Sequence, residues 1–226
     1  MNTKQLVDYL SKFVTDERLN IFDQVLANRT RYLTVALEDI YQPHNASAVL
    51  RSMDCFGVQD VHIIENQNEY NINPDVALGA SKCLNLYRYN REENNTLDAI
   101  QYLRNNGYRI ISTTPHSEDV QVQDFNLESG KAAIFFGTEM RGLSKTVLDH
   151  SDEYLKIPMY GFTESFNISV SAAIILYQLT LKLKESEIKW QLSDDEVINL
   201  KYEWLKKSIK RSELLIDEFL SKKTNN

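Results

Sequence analysis

Residues 157–176 read IPMYGFTESFNISVSAAIIL, a stretch that runs from the end of an apolar strand into a long helix. Asn167 or Ser165 can serve as the N-cap of this helix, because a short polar side chain accepts hydrogen bonds from first-turn N–H groups. The helix begins with small residues and then becomes apolar, so we expect it to pack closely and fix the loop before it. The segment predicts a buried strand, an ordered loop and a buried helix in succession.

The same order of strand and helix recurs along the middle of the chain. Apolar runs predict strands at Leu33–Leu37, Val61–Ile64, Tyr108–Thr113, Ala132–Phe136 and Tyr154–Ile157. Helical spacing predicts helices over residues 45–56, 96–107, 144–150 and 168–183, the second capped by Thr96. Residues 65–95 are polar and mixed and are predicted to be mostly loop with short elements. Apolar strands alternating with helices indicate an α/β fold, a mainly parallel sheet flanked by helices.

Helical segments are predicted on both sides of this α/β domain. We expect an N-terminal helical extension over residues 1–30, the α/β domain over 31–184 and a C-terminal helical extension over 185–226. In the last of these, an apolar stripe is predicted from Ile198, Tyr202, Leu205 and Ile209. A helix docked by that stripe would present four cations outward: Lys206, Lys207, Lys210 and Arg211.

The formal net charge of −7 argues against nonspecific binding of nucleic acid over the whole surface, since phosphate neutralisation needs Lys and Arg. A local basic patch is still sufficient, and Arg29 and Arg31 can add to the four C-terminal cations. No apolar run approaches the length of a membrane span, and the N-terminus lacks the pattern of a secretory signal. The histidines and the two cysteines show no metal-ligand spacing, and free thiols fit a reducing cytoplasm.

Two further segments lie at predicted strand–helix junctions, where ligands bind in parallel sheets. Residues 135–144 read FFGTEMRGLS, with Glu139 between two glycines; the alternative is a tight turn with a solvated carboxylate. Residues 44–51 read HNASAVLR, with Asn45 as a candidate N-cap and Arg51 as either a phosphate clamp or an ordinary surface residue. The common glycine-rich nucleotide fingerprints are missing.

Taken together and in order, these three segments resemble the motifs of the SpoU methyltransferases of the SPOUT superfamily, over about residues 32–183. The resemblance implies an S-adenosylmethionine-dependent RNA 2′-O-ribose methyltransferase that forms a homodimer, contains a trefoil knot and needs no metal. The terminal helices, the Leu78–Lys82 segment and the Trp204–Ser208 stretch resemble the branch that methylates a guanosine in the D-loop of tRNA.

The resemblance also implies roles for individual residues. The catalytic set is Asn45, Arg51, Glu139, Ser165 and Asn167, in which Arg51 would hold the target phosphate and Asn45 would orient the hydroxyl or Arg51. The residues implied to bind the cofactor are Thr113, Thr114, Gly137, Glu139, Gly142, Ile157, Met159, Ser165, Phe166 and Ser169. The residues expected to bind RNA are Arg29, Arg31, Lys206, Lys207, Lys210 and Arg211.

Three other functions compete with a tRNA guanosine 2′-O-methyltransferase. A SpoU enzyme acting on ribosomal RNA or another tRNA position is the nearest, but ribosomal relatives often carry a different N-terminal domain. A catalytically idle RNA-binding protein is disfavoured by the intact set of motif residues. An unrelated α/β enzyme that uses a nucleotide is disfavoured by the missing glycine fingerprints.

Overall fold

A computed structural model describes residues 3–70, 79–92, 94–115, 119–138 and 141–224. This part of the chain divides into two compact units, one of residues 30–190 and the other of residues 1–29 together with 191–226. The prediction ended the α/β domain at residue 184. The larger unit extends beyond that point because Trp190 packs against its core and accepts a hydrogen bond from the Thr30 hydroxyl at 2.7 Å.

The larger unit contains a seven-stranded sheet. Its strands are β1 (Leu33–Glu38), β2 (Asp60–Ile64), β3 (Asn85–Tyr89), β4 (Arg109–Thr113), β5 (Val120–Gln121), β6 (Ala132–Phe136) and β7 (Glu153–Lys156). Their order is β3-β2-β1-β6-β4-β7-β5, and every pair of neighbours runs parallel. The predicted α/β fold is therefore confirmed. The knot implied by the resemblance stays a prediction.

The helices of this unit are α3 (Pro43–Phe56), α4 (Ala80–Cys83), α5 (Asn95–Asn105), α6 (Lys145–Asp149) and α7 (Ile168–Glu185). All six residues of β1 are buried, as expected for a strand covered on both faces. Val35 and Leu37 belong to a core that includes residues of α3 and α7, whereas Ala36 packs with residues of α5 and α6. Alternate side chains of one strand thus supply both cores.

Residues 65–95 contain two short elements, α4 and β3, as the prediction of loop with short elements allows, while residues 71–78 and 93 lie outside the described residues. The strand β3 reads NLYRY and pairs along its whole length with β2, so the partner strand stabilises a partly polar segment. The predicted N-cap Thr96 was wrong. The Asn94 side chain caps α5 by accepting a hydrogen bond from the Leu97 N–H at 3.2 Å, and Thr96 lies inside the helix.

The smaller unit is helical and is made of residues from both the N-terminal and the C-terminal predicted extensions. Its helices are α1 (Thr3–Leu10), α2 (Asp16–Leu26), α8 (Asp194–Ser208) and α9 (Ser212–Thr224). The Trp204 and Phe22 rings pack edge-on with their centres 5.5 Å apart, and the Lys201 ammonium nitrogen lies 2.5 Å from a carboxylate oxygen of Asp23. The buried residues of α8 are Leu200, Trp204 and Leu205. Of the predicted stripe, Leu205 is buried, and the other three residues are partly buried, namely Ile198, Tyr202 and Ile209.

Candidate active site

A cavity of about 380 Å³ lies where β4, β6 and β7 end, at the carboxyl edge of the parallel sheet. Ligands bind at this edge in open α/β sheets. Eight of the ten residues predicted to bind a cofactor line it, namely Thr113, Thr114, Gly137, Gly142, Ile157, Met159, Ser165 and Phe166. The loops that carry these residues thus meet at one cavity, and their role in binding the cofactor stays a prediction.

The loop after β6 is a tight hairpin built on two glycines. Thr138 and Gly142 exchange backbone hydrogen bonds of 3.0 and 2.9 Å. A Cβ atom on Gly137 would lie 2.2 Å from the carbonyl carbon and oxygen of Gly142, so no other residue fits there without moving the loop. Gly142 adopts a φ of +66°, which glycine tolerates best. Glu139, predicted to be catalytic, lies outside the described residues.

A buried carboxylate that the sequence analysis missed holds the far end of this loop. Glu38 is the last residue of β1, and its two oxygens accept hydrogen bonds from the backbone N–H and the hydroxyl of Ser144 at 2.8 and 2.7 Å. The Thr96 hydroxyl donates a third at 2.7 Å. Since Ser144 also caps α6, Glu38 ties the end of the cavity loop to β1, the strand beside β6. An acidic residue closing an apolar strand was the available signal.

The segment around Asn45 differs from the prediction at the start of its helix. Helix α3 begins at Pro43 with Gln42 as the preceding residue, so Asn45 lies in the first turn and is not the N-cap. Proline is favoured at the first helical position, because its missing N–H would have no partner there. The buried Asn45 side chain donates to the Gln42 side chain at 3.3 Å and accepts from the Asn167 side chain at 3.1 Å.

Asn167 performs two functions at once. Its side-chain oxygen caps α7 by accepting from the N–H and the hydroxyl of Ser169, at 2.9 and 2.6 Å. Its side-chain nitrogen donates to Asn45, which is 122 positions earlier in the chain. Both predicted asparagines therefore meet directly. Ser169, predicted to contact a cofactor, is engaged in this cap and does not line the cavity.

Arg51 lies further along α3, where its side chain is exposed. This position fits either alternative left open by the sequence, a phosphate clamp or a surface residue. The loop before α7 is also exposed: Tyr160 and Phe162 have relative exposures of 96% and 107%, and Phe166 of 44%. Exposed aromatic side chains in a group are typical of surfaces that bind a partner.

The predicted basic surface is smaller than expected. Arg29 is 2% exposed, and its guanidinium lies 5.5 Å from the centre of the Trp204 ring, so its prediction as an RNA contact was wrong. Arg31 forms an ion pair with Asp60 at 3.0 Å. Helix α8 ends at Ser208, which places Lys210 and Arg211 in the turn before α9 and not on one continuous helix face.

The cations of that C-terminal region differ in their exposure. Lys207, Lys210 and Arg211 are exposed, whereas Lys206 is partly buried, 3.8 Å from the Glu213 carboxylate and 5.6 Å from the centre of the Tyr202 ring. The part of the chain that the structure describes holds no cluster of acidic, histidine or cysteine side chains that could bind a metal ion. Among its helices, none is both long and apolar enough to cross a membrane.

Comparison with known families and proteins agrees with this architecture. The model of the SpoU rRNA Methylase family matches residues 32–177. A tRNA (guanosine(18)-2′-O)-methyltransferase of Borreliella burgdorferi is 43% identical over 209 residues, covering 92% of this chain and 94% of the relative. An enzyme of the same name from Thermus thermophilus is 31% identical over 73% of this chain and 82% of its own.

Solved structures show the same fold. The TrmH/SpoU tRNA modifying enzyme of A. aeolicus superposes with a TM-score of 0.76 at 25% identity, covering 86% of this chain and 98% of that one. The SpoU methyltransferase AviRb of Streptomyces viridochromogenes, solved in complex with the cofactor AdoMet, has a TM-score of 0.60 at 22% identity, covering 73% of this chain and 65% of its own. The second likeness concerns the fold alone.

Proposed function

This chain belongs to the SpoU rRNA Methylase family, and we propose that it methylates the ribose 2′-hydroxyl of a tRNA guanosine, with S-adenosylmethionine as the methyl donor. The observation that carries the proposal is the contact between Asn45 and Asn167 beside a cavity at the carboxyl edge of the sheet. The choice of tRNA, and of the guanosine at position 18, is supported by the names of relatives that match most of the chain.

The cavity fits the proposed cofactor in size and lining. Its volume of about 380 Å³ falls within the usual range of small-molecule sites, roughly 300–1,000 Å³. Apolar side chains such as Leu155 and Ile157 can cover a heterocyclic ring, while the hydroxyls of Thr113, Thr114 and Ser165 can serve polar groups. When bound, S-adenosylmethionine supplies a methyl group on a positively charged sulfur. The hairpin closed by Gly137 and Gly142 would form one wall.

The residues of this chain would chiefly hold and orient the nucleophile. Asn45 and Asn167 fix each other, so a ribose hydroxyl bonded to either amide would be presented in one orientation. Correct alignment of the reacting atoms is worth several orders of magnitude in rate. Together with Arg51, Glu139 and Ser165 complete the proposed catalytic set.

Arg51 is proposed to bind the phosphate next to the target ribose. Its side chain is exposed and available to RNA, and a guanidinium can form two parallel hydrogen bonds to a phosphate. Its positive charge, placed near the hydroxyl, would assist loss of the hydroxyl proton. The exposed Lys207, Lys210 and Arg211, together with Arg31 and Lys206, are proposed to bind the tRNA backbone elsewhere.

We further propose a homodimer that acts in the cytoplasm. The exposed Tyr160, Phe162 and Phe166 precede α7, whose Val170 and Tyr177 are 43% and 55% exposed, so apolar surface remains available for a second copy. The described Cys55 and Cys83 form no disulfide, which fits a reducing compartment. Sedimentation of the purified protein tests the dimer.

The decisive experiment incubates the protein with tritiated S-adenosylmethionine and a tRNA transcript, followed by mapping of the labelled nucleotide. The expected result is a single 2′-O-methylated guanosine in the D-loop. A matched transcript with 2′-deoxyguanosine at that position should take no label, because the acceptor oxygen is missing. Label on a base, or no label on the transcript, would contradict the proposal.

A further inference from the structure

A second cavity, of about 370 Å³, lies beyond the ends of β1 and β2 and shares no lining residue with the first. Its walls are Tyr41, Gln42, Pro43, Gln67, Asn68 and Glu69. We propose that this cavity receives the base of the target nucleotide and selects guanine. The inference rests on the proposed function, which supplies a guanosine as substrate, and it names the residues that would choose the base.

A chain of hydrogen bonds joins the walls of the two cavities. Gln42, in the wall of the second cavity, accepts from the Asn45 side chain, which in turn accepts from Asn167. The neighbours of Asn167 in sequence, Phe166 and Ile168, line the first cavity. A ribose held at the asparagine pair would therefore have one cavity available for the methyl donor and the other for its own base.

One wall of the second cavity is fixed by a strained residue. Asp39 adopts a φ of +52°, uncommon for a residue with a side chain. Its carboxylate accepts hydrogen bonds from the backbone N–H groups of Asn66 and Gln67 at 2.7 and 2.8 Å, and its carbonyl accepts from the Asn68 side chain at 2.9 Å. Strain of this kind persists only where surrounding contacts enforce it, and it concentrates at functional sites.

The other end of the same segment is held as firmly. The buried carboxylate of Glu65 accepts the backbone N–H of Tyr70 at 2.8 Å and binds the Arg88 guanidinium through two hydrogen bonds of 2.7 and 3.0 Å. Glu69, immediately before Tyr70, is therefore carried on a segment anchored on both sides. A preorganised wall loses little entropy when a ligand binds.

The chemistry of the lining points to guanine. Glu69 is an exposed carboxylate that would repel a phosphate, so its favourable partners in RNA are hydrogen-bond donors, which are found on the bases and on the ribose 2′-hydroxyl. Guanine presents two adjacent donors on its Watson–Crick edge, N1–H and the N2 amino group, and one carboxylate can accept both. Adenine, cytosine and uracil each place an acceptor beside their donor on that edge, which a carboxylate repels.

The remaining lining groups add to this selection. The side-chain amide of Gln67 offers both a donor and an acceptor to the base edge. Tyr41 is 72% exposed and can stack on a base that has left its helix, the usual manner in which proteins read single-stranded RNA. Together they would hold the face and edge of one base.

The test compares two enzymes on two RNAs under single-turnover conditions. Wild type and Glu69→Gln are each given tRNA with guanosine or with inosine at the target position. Inosine keeps N1–H and lacks the N2 amino group. A base-specific bidentate contact is worth about 5- to 150-fold in discrimination. We expect Glu69→Gln to lose at least tenfold in methylation rate on guanosine and clearly less on inosine. Because each RNA meets both enzymes, effects of inosine on tRNA folding cancel in the ratio.

Two controls keep the outcome specific. Glu128→Gln removes an exposed carboxylate outside both cavities and should match wild type on both RNAs. Calorimetry should show equal S-adenosylmethionine affinity for Glu69→Gln and wild type, since Glu69 does not line the first cavity. Equal loss on guanosine and inosine, or no loss on either, would overturn the guanine subsite. Failure of wild type to methylate guanosine tRNA would instead reject the proposed function, and the inference with it.

Discussion

The hairpin after β6 leaves no room for a side chain at residue 137, which makes Gly137→Ala a direct test of the cavity wall. The added Cβ would lie 2.2 Å from two backbone atoms of Gly142 and 2.4 Å from the Leu143 nitrogen. Carbon atoms in ordinary contact are about 3.5 Å apart, so the two backbone segments must separate by about 1.3 Å. The exchanged Thr138–Gly142 hydrogen bonds, now 2.9 and 3.0 Å, would lengthen to about 4 Å and break.

The expected cost follows from these distances. Overpacking of this kind costs roughly 1–3 kcal/mol, and each broken backbone hydrogen bond adds about 1 kcal/mol. With two hydrogen bonds broken, the total of about 3–5 kcal/mol lowers Tm by roughly 6–20 °C in a chain of this length. A displacement of about 1 Å at a reacting site can reduce the rate about a hundredfold, so kcat/KM for methyl transfer should fall by that order.

Substitution of two other glycines distinguishes the cost of a steric clash from the cost of a strained backbone conformation. Gly142→Ala meets nothing within 4 Å but would force alanine to φ +66°, at a cost of about 1–2 kcal/mol. Gly161→Ala has only the Thr163 nitrogen, at 4.0 Å, and its Tm should stay within about 1 °C of wild type. Thermal unfolding and titration with S-adenosylmethionine rank the three variants by Tm and by cofactor affinity. If Gly137→Ala matches Gly161→Ala in both measurements, the assignment of this hairpin as the cavity wall is refuted.

Four further predictions address the other parts of the molecule. Arg51→Ala should retain S-adenosylmethionine affinity in calorimetry and lose at least about a hundredfold in tRNA methylation; wild-type turnover would remove Arg51 from the site. Asn167→Ala removes the cap of α7 and the contact with Asn45, so it should lose about 1 kcal/mol of stability and most of its activity. Asn167→Asp keeps the oxygen that caps α7 but loses the N–H donor to Asn45, so its Tm should match wild type while its methylation rate stays as low as that of Asn167→Ala. Burial lowers the pKa of His62 to about 4, so the free energy of unfolding that this residue contributes above pH 6.5 is lost as the pH falls toward 4. Between pH 7 and pH 4.5, the free energy of unfolding measured in urea should therefore fall by about 2 kcal/mol more in wild type than in His62→Phe. Charge reversal of the C-terminal cations should weaken tRNA binding and flatten its salt dependence in filter-binding assays, and an unchanged affinity would reject that patch, which comprises Lys206, Lys207, Lys210 and Arg211.

The apolar strands could be predicted from sequence because burial on both faces of a parallel sheet leaves a continuous apolar run. The strand β3 could not, since its polar residues are compatible with a strand only beside β2, as in the pairing of Asn85 with Asp60. The end of the α/β domain, predicted at residue 184, also depends on contacts that the local sequence does not reveal. Whether Trp190 belongs to the larger unit depends on its contacts with a core formed by distant residues.

Errors at helix starts had a common physical cause. Thr96 and Asn45 are both plausible caps by local rules, yet each side chain is used by a distant partner, Glu38 for the first and Asn167 for the second. Pro43 was a local signal that α3 begins earlier, because proline is preferred at the first helical position. Local propensity therefore located the helices well, and tertiary hydrogen bonds decided the function of individual side chains.

In the candidate site too, the order of the motifs along the chain predicted part of the arrangement, and contacts between distant residues determined the rest. Parallel topology dictates that the loops after β1, β6 and β7 reach one edge, so the motifs alone could place Asn45, Gly137 and Asn167 near each other. Sequence could not reveal that Glu38 binds Ser144, because a buried carboxylate is stable only when several donors converge on it from other elements. Such a residue contributes to a site by fixing the loop that forms its wall. It is therefore recognised by its partners in space and not by a motif.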